Sequence, residues 1–288
     1  MNSPRELRRR IRSITGTAQI TKAMQMVAAS KMRKAQQSAT AARPFAQELY
    51  RIQRIATLRV PDLEHPLLAA REVRTRAVIL IATDKGLCGA LNTNVFRLAS
   101  QFDPQTTLFV TAGRKAAQFV ARTRRQLVAE FSYGDSPRYS EARAIAAFAR
   151  DLFLDGNVDQ VHVVSTRFVN TLAQVPVRLD YLPAGAITAL RIPGVEPEEV
   201  LVADTEEVVF EPGAEAVLSY LLGHYLNVYI YYVLLNAKAS EQSARMVSMK
   251  NATDSAQSLI ADLKLEYNTL RQANITKELL EIAGGQAG

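Results

Sequence analysis

The sequence has little cysteine and few aromatic residues. It contains one cysteine and no tryptophan, and Phe and Tyr together make up 7% of its 288 residues. A single cysteine excludes an internal disulfide framework and a multi-cysteine zinc ribbon, and it is typical of a reducing compartment. Hydrophobic residues still account for 48% of the chain. That share is enough for a sizeable core and excludes disordered and collagen-like classes.

Acidic residues are scarce in the first 60 positions. This segment holds 13 Lys and Arg against only Glu6 and Glu48, a net charge of +11, while the remaining 228 residues carry −4. A basic segment attached to a mildly acidic body is typical of proteins that bind nucleic acid, an anionic membrane surface or an acidic protein partner. Charge alone does not choose among these classes.

The basic start of the chain has two interpretations. Its Arg-rich composition is that of an organellar transit peptide. However, Ser3-Pro4-Arg5-Glu6 has the pattern of a helix capping box, with Ser3 at the N-cap, proline at the first helical position and Glu6 three residues after the cap. We therefore expect a helix that begins almost at the first residue.

Glycine and proline are absent from two long stretches, residues 17–43 and 224–283. Almost all of the others fall between about residues 60 and 213, so two long helices should flank a globular domain. Pro44 is expected to kink or end the first helix. The predicted division is an N-terminal coiled-coil helix over 1–58, an α/β domain over 72–212 and a C-terminal coiled-coil helix over 213–288.

The C-terminal stretch has a repeat of 3.5 residues. Steps of four and three from Leu221 to Leu270 meet apolar residues, with Gln242 and Thr253 as polar interruptions. This is the pattern of a coiled-coil seam. The N-terminal stripe that would pair with it is Leu7, Ile11, Ile14, Ala18, Ile20, Met24 and Val27.

Length favours pairing of the two helices over separate packing of each on a globule. Sixty helical residues measure about 90 Å, at about 1.5 Å per residue. A compact globule of this chain length has a diameter of roughly 50 Å. We therefore expect the C-terminal helix to project and to pair antiparallel with the N-terminal helix.

One uncharged run, residues 216–237, is long enough to span a bilayer. Its tyrosines are spread through the run instead of lying at its ends, which favours a helix buried in protein. These tyrosines are Tyr220, Tyr225, Tyr229, Tyr231 and Tyr232.

The middle of the chain alternates between strand and helix patterns, which predicts a small Rossmann-like α/β domain. The predicted strands are Val78–Ile81, Thr106–Thr111, Val161–Ser165 and Val175–Tyr181. The predicted helices are Ala90–Phe102, Arg114–Arg124 and Glu141–Leu154.

The sequence offers no catalytic centre. The loop at 83–89 follows a strand, but it matches neither the dinucleotide fingerprint nor the phosphate loop. The three histidines are scattered, and Cys88 has no fixed companion. We predict no catalytic residue, no cofactor and no metal. From these residues alone a mechanical scaffold protein, a nucleic-acid-binding protein and a nucleotide-dependent enzyme all remain open.

Four segments carry a family resemblance. They are QITKAM with MVAASKMRKA at 19–35, DKGLCGALNTN at 84–94, EQSARMVSMK at 241–250 and YN…RQA…IT…EL at 267–279. In this order they resemble the signatures of the gamma subunit of the rotary (F-type) ATP synthase. The resemblance covers both predicted helices and the domain between them.

The resemblance implies a non-catalytic central rotor stalk, present once per complex. In that family the paired helices turn inside a ring of three alpha and three beta subunits, and the α/β domain meets the epsilon subunit and the c-ring. Proton flow turns the stalk and drives the beta-subunit sites through ATP synthesis or hydrolysis. The implied location is the cytoplasmic side of a bacterial inner (plasma) membrane, as a peripheral protein that touches the membrane only through the c-ring. No nucleic acid is involved.

The resemblance also implies contact residues. Residues at matching positions should meet the beta subunits, the first six near their lower acidic parts and the last two near the upper shaft. These are Met24, Lys31, Arg33, Lys34, Asp84, Lys85, Arg271 and Gln272. Phe210 and Glu211 match a segment at the foot, near the c-ring and the epsilon subunit.

Overall fold

The computed structural model describes residues 3–59, 64–185, 192, 211 and 213–285. The chain divides into two compact units, each of which draws residues from both long helices. Unit 1 comprises Met1–Ala29 and Arg245–Gly288, and unit 2 comprises Ser30–Ala244. The sequence-based division at 58, 72 and 213 remains a prediction.

Two helices dominate the chain. Helix α1 spans Pro4–Arg59 and helix α5 spans Ala214–Gly285. Between them, in chain order, lie β1 Arg76–Ile81, α2 Leu91–Ala99, β2 Thr107–Ala112, α3 Arg114–Arg122, β3 Gln126–Phe131, α4 Tyr139–Leu154, β4 Gln160–Phe168 and β5 Gln174–Leu182.

The five strands form one sheet in unit 2, in the order β3-β2-β1-β4-β5. The first four are parallel, and β5 runs antiparallel to β4. The central strand β1 is almost wholly apolar and buried, as expected for a parallel strand covered on both faces. The predicted Rossmann-like domain is confirmed.

Sequence analysis missed strand β3. It lies at the edge of the sheet and pairs only with β2, so most of its side chains remain accessible to solvent. Because the strand lacks the buried apolar run of the central strands, its sequence carries little strand signal. The four predicted strands are present with shifted ends, and α3 ends at Arg122, two residues before its predicted end.

The sheet buries both faces within unit 2. Helices α2 and α3 cover one face, in a cluster that includes Val95, Phe109 and Phe119. The other face packs against α4, the second half of α1 and the first half of α5, in a cluster that includes Phe153 and Leu226. The uncharged run of α5 is therefore a core helix of this unit.

Helix α5 contains a stretch long and apolar enough to cross a membrane by length and composition, and 56% of that stretch is buried inside the protein. Among its tyrosines, Tyr225, Tyr229 and Tyr232 are buried. The interpretation as a helix buried in protein is confirmed for these residues.

Unit 1 is an antiparallel helix pair. Arg8 donates a hydrogen bond to the Tyr267 hydroxyl, and the Thr21 and Thr253 hydroxyls lie 2.7 Å apart. As the position advances along α1, its partner position recedes along α5, which is the predicted antiparallel pairing. The seam on α5 follows the predicted repeat, since its positions are buried or partly buried: Met249, Thr253, Ala256, Ile260, Leu263, Tyr267 and Leu270.

Part of the predicted stripe on α1 is wrong. Ile20 and Val27 are 63% and 54% exposed, whereas Thr21 and Ala28 are buried. The seam keeps its steps of four and three from Leu7 onwards and therefore passes through these smaller residues. Choosing the larger apolar side chain at each turn shifted the predicted stripe by one position.

Helix α1 begins as predicted, but it does not end at Pro44. Ser3 Oγ accepts a hydrogen bond from the Glu6 backbone N–H at 3.2 Å, as a capping residue does. Pro44 does not end the helix, which continues to Arg59. Pro44 itself is exposed, while Ala46, Leu49 and Tyr50 just beyond it pack into the unit 2 core. That packing stabilises the helix beyond the proline.

Candidate functional site

A chain of ion pairs joins three parts of unit 2. Lys31 Nζ lies 2.6 Å from Asp135 Oδ2, and the other Asp135 oxygen lies 3.6 Å from Lys238 Nζ. Lys238 also pairs with Glu241, three residues further along α5, at 2.9 Å. This ion-pair network of Lys31, Asp135, Lys238 and Glu241 links α1, the β3–α4 loop and α5.

The two ends of the network differ in burial. The side chains of Lys238 and Glu241 are 3% and 4% exposed, and buried charges of this kind need a partner. Lys31 and Asp135 are about half exposed, at 42% and 55%. The hydrogen bond from Lys31 is the main cause that lowers the pKa of Asp135, with the charge of Lys238 adding to it and burial opposing it. The outer end of the network is therefore accessible to a partner.

Tyr133 lies against this network. Its hydroxyl donates to the Ala82 carbonyl at 3.1 Å, and Lys238 Nζ lies 4.8 Å from the centre of its ring. Burial is the main cause that raises the pKa of Tyr133, and the carboxylates of Glu241 and Asp84 raise it further. Tyr133 therefore stays neutral and connects the network to the end of strand β1.

The glycine loop after β1 uses its own polar groups to hold its shape. Asn92 donates to Thr83 Oγ1 at 2.8 Å and accepts from the Thr83 backbone N–H at 3.3 Å. Thr83 Oγ1 in turn donates to the Lys85 carbonyl at 2.7 Å. Cys88 is buried against Leu91 and Ala244. These bonds keep Lys85 and Leu87 at the surface.

Asp84 has an internal role that sequence analysis did not predict. Its Oδ1 accepts a hydrogen bond from the Arg114 backbone N–H at 2.9 Å, and so caps the first turn of α3. Gly113, the residue before Arg114, has φ +94°, and a Cβ on it would lie 2.1 Å from the Ala82 carbonyl oxygen. Only glycine fits this close approach.

Five of the other predicted contact residues lie on the two long helices. Arg33 and Lys34 are exposed in unit 2, and Met24 is partly buried in unit 1. Arg271 and Gln272 are exposed on α5, beyond the end of the buried seam. Glu211 is exposed, whereas Phe210 lies outside the described residues.

Unit 1 also carries exposed apolar side chains on both of its helices. On α1 they are Ile20, Met26 and Val27, and towards the end of α5 they are Ile275, Leu279 and Leu280. Surface apolar residues gathered on a helix are typical of sites that contact another protein. Sequence analysis had assigned Ile20 and Val27 to the seam, and it gave no contact role to Asp135, Lys238 or Glu241. Their opposite charges, far apart in the chain, carry no local pattern.

The chain is similar to known proteins of one family. A family model described as ATP synthase matches residues 3–288. An ATP synthase gamma chain from Opitutus terrae is 47% identical, over 99% of this chain and 98% of the relative. One from Roseiflexus castenholzii is 45% identical, over 100% of this chain and 98% of the relative.

The chain belongs to the ATP synthase gamma-chain family. The resemblance drawn from the four signature segments is confirmed. As a member of the gamma-chain family, the chain is a subunit of an ATP synthase, which is a membrane-associated complex.

Chains in solved ATP synthase structures share this fold. The central stalk and c-ring structure of the Tetrahymena thermophila mitochondrial ATP synthase contains a chain that matches with a TM-score of 0.59 and 25% identity, over 81% of this chain and 99% of that chain. A chain of the Euglena gracilis mitochondrial ATP synthase matches with a TM-score of 0.67 over 99% of this chain and 93% of that chain. At 18% identity the second likeness concerns the fold alone.

Proposed function

We propose that this chain is the central rotor stalk of an F-type ATP synthase. One copy turns inside a ring of three alpha and three beta subunits and couples proton flow through the c-ring to ATP synthesis or hydrolysis at the beta-subunit sites. The stalk itself carries no catalytic site. It lies on the cytoplasmic side of a bacterial inner membrane and touches the membrane only through the c-ring.

The observation that carries this proposal is the helix pair of unit 1. Among the residues of this pair whose burial the structure describes, one stripe of each helix is buried, and the remaining faces are available to surrounding subunits. A stalk that transmits torque must resist bending, and the stretches 17–43 and 224–283, which lack glycine and proline, favour that stiffness. The exposed faces also differ in chemistry, which a rotor needs if each beta subunit is to meet a different surface.

Contacts to the beta subunits follow from the exposed residues. We assign Lys31, Arg33 and Lys34, together with Met24 and Lys85, to the lower acidic parts of the beta subunits, because oppositely charged surfaces favour each other. The partial pairing of Lys31 with Asp135 leaves Arg33 and Lys34 as the more available charges.

The remaining assignments concern Asp84, the upper shaft and the foot. Asp84 belongs to the same lower contact with the beta subunits, and its bond to the Arg114 backbone also holds the Lys85 loop in shape. Arg271 and Gln272 meet beta-subunit loops at the upper shaft, beside the exposed Leu279 and Leu280. Phe210 and Glu211 belong to the foot, which meets the c-ring and the epsilon subunit.

Co-purification tests the proposal. We expect the full chain, expressed with the alpha and beta subunits of its own bacterium, to form a stable complex in a 1:3:3 ratio with ATPase activity. A probe attached to the chain should rotate in single-molecule recordings when ATP is added. A chain that fails to assemble with these subunits, or an active complex in which the probe stays still, would contradict the rotor function.

Charge reversal tests the proposed beta contact. The double variant Arg33→Glu/Lys34→Glu leaves the Lys31–Asp135 ion pair intact and should weaken ATP-driven proton pumping in the assembled enzyme. A matched control reverses Arg97 and Arg122, which are exposed on α2 and α3 of the sheet domain. Equal pumping by both variants would exclude the contact while leaving the rotor function untouched.

A further inference from the structure

The hairpin that joins β4 to β5 and the glycine loop after β1 meet α5 side by side in unit 2. The Ser243 hydroxyl donates to the Thr171 carbonyl of the hairpin at 2.8 Å. The next residue of α5, Ala244, packs against buried Cys88 of the glycine loop. Strands β1 and β4 are parallel and paired, so both loops leave the carboxyl edge of the sheet. The hairpin tip and the glycine loop therefore belong to one surface of unit 2.

The tip of this hairpin is held in shape by its own polar side chains. Asn170 Oδ1 accepts hydrogen bonds from the backbone N–H groups of Leu172 and Ala173, both at 2.9 Å. The Gln174 side-chain amide donates to the carbonyls of Asn170 and Thr171, at 3.1 and 3.0 Å. Together with the bond from α5, these contacts give the tip a fixed shape before any partner binds.

This fixed shape leaves an apolar side chain in solvent. Leu172 is 82% exposed, more than any other large hydrophobic residue in the part of the chain that the structure describes. Val169, at the start of the tip, is exposed as well. Covering a leucine side chain with an apolar surface is favourable. Because the tip is already ordered, a partner that covers Leu172 loses little conformational entropy in doing so.

The charge of this surface indicates the kind of partner. Residues 163–175 contain one charged residue, Arg167, and its side chain is exposed. The glycine loop adds exposed Lys85 and Leu87. A surface with basic and apolar side chains complements a protein surface on which an apolar side chain lies among carboxylates. The lower acidic parts of the beta subunits, to which Lys85 is assigned above, have that charge.

We propose that the tip of the β4–β5 hairpin is a further contact to the beta subunits. Leu172 is its apolar anchor, and Arg167 faces the carboxylates of the partner. Asn170 is a positioning residue, which holds the tip so that Leu172 points away from the domain. This inference rests on the proposed rotor function, because it extends the contact of Lys85 along the same edge of the sheet.

Photo-crosslinking in the assembled enzyme tests the contact. The photoreactive residue p-benzoylphenylalanine replaces Leu172 in the full chain, which is assembled with the alpha and beta subunits of its own bacterium and irradiated during ATP hydrolysis. We expect an adduct with the beta subunit, identified by mass spectrometry. Leu154 is the matched control, because this exposed leucine ends α4 just before β4 begins and so lies at the opposite edge of the sheet. The same photoreactive residue there should give no beta adduct.

A third position separates this inference from the function on which it rests. Lys34 belongs to the beta contact already proposed, so a probe at this position should also form a beta adduct. An adduct from position 34 but none from position 172 would overturn the hairpin contact alone. Adducts from neither position would contradict the proposed beta contact as a whole. An adduct that joins position 172 to an alpha subunit or to a second copy of this chain would overturn the choice of partner.

Competition between chains measures what the anchor contributes. When variant and unchanged chains compete for a limiting amount of alpha and beta subunits, Leu172→Ser should be incorporated about fivefold less, as expected for the loss of an anchor side chain. Asn170→Ala keeps Leu172 but loosens the tip, so it should be incorporated about twofold less. Leu154→Ser should compete as the unchanged chain does. Circular dichroism checks that each variant is folded, and equal incorporation of folded Leu172→Ser and unchanged chains would overturn the proposal.

Discussion

The two halves of helix α5 bury their side chains in different ways. In unit 2, from Leu218 to Ser243, most side chains are buried on every side of the helix, against the sheet, α4 and α1. In unit 1, beyond Met249, one side chain per three or four is buried and the rest face solvent. A single unbroken helix can therefore serve as a core element along one part and as one strand of a coiled coil along another.

The difference shows that helix formation and helix burial are separate properties. Absence of glycine and proline predicts the length of the helix, but burial depends on how many of its faces are covered. The sequence already indicates both kinds of burial: the run near Tyr225 is apolar on all sides of the helix, and the pattern near Leu263 has apolar residues on one stripe.

Truncating a buried residue in each half should give the largest effects. Ile230 in unit 2 is completely buried, and Ile230→Ala should lower the free energy of unfolding by about 4 kcal/mol, from the range for cavities in close-packed cores. Leu263→Ala in unit 1 should cost about 2 kcal/mol, since solvent can fill the gap beside a helix pair. Hydrogen-exchange mass spectrometry reports the opening of each half separately.

A third substitution is the control for this comparison. Leu265 is 70% exposed, against 6% for Leu263. Leu265→Ala should change the free energy of unfolding by less than about 0.5 kcal/mol. If Leu263 and Leu265 gave equal losses, the predicted seam would not be the buried stripe of this helix.

Much of this fold could be predicted from the sequence because its signals are periodic. The 3.5-residue repeat places Met249, Ala256 and Leu263 on the seam, and the run at Val78–Ile81 identifies the central strand. Edge strand β3 was missed because it is neither buried nor regularly alternating. The continuation of α1 beyond Pro44 could not be predicted, since it depends on packing against residues far away in the chain.

The site was less predictable than the fold. Asp135 meets Lys31 across 104 residues and Lys238 across a similar separation, so no local pattern announces the ion-pair network. Asp84 belongs to a recognisable loop, but its bond to the Arg114 backbone depends on how β1 and α3 come together. A cavity lined by Arg150 of α4 and Asn227 of α5, among others, likewise depends on the packing of these two helices.

A pair of buried hydroxyl groups lies in the seam between the two helices of unit 1. Thr21 and Thr253 are both buried and 2.7 Å apart, and each can also donate to a carbonyl of its own helix. Replacing one of them, as in Thr253→Val, should cost about 1 kcal/mol by weakening a buried hydrogen bond. The double variant Thr21→Val/Thr253→Val should recover most of that loss, because no hydroxyl is left without its partner.

A double-mutant cycle measured by urea unfolding checks this expectation. Thr269→Val is a suitable control, because Thr269 is exposed and its hydroxyl donates to the Leu265 carbonyl of its own helix. Additive losses from the two buried threonines would mean that their hydroxyls do not interact.

In the unit 2 half of α5, the substitution Gly223→Ala should stabilise the chain. An added methyl group would lie at ordinary contact distance, 3.7 Å, from Arg150 Nη1. Gly223→Ala should therefore raise the free energy of unfolding by about 0.5–1 kcal/mol, from helix propensity alone. Thermal unfolding followed by circular dichroism measures it, and a lowered midpoint would show that the side of this helix facing Arg150 tolerates no added atom.

The smallest effect concerns the outer end of the ion-pair network. The pKa of Asp135 is lowered, chiefly by the hydrogen bond from Lys31, so folding favours its charged form. The resulting stabilisation is present above the ordinary carboxyl range of about 4 and is lost as the pH falls through the lower pKa of the folded chain. Asp135→Asn should thus destabilise the chain slightly at pH 7, and this loss should shrink as the pH falls below about 4. Asp155→Asn, at the exposed end of α4, is the matched control. An Asp135→Asn loss that stays constant from pH 7 to pH 3 would mean that packing, and not charge, holds this loop to α1 and α5.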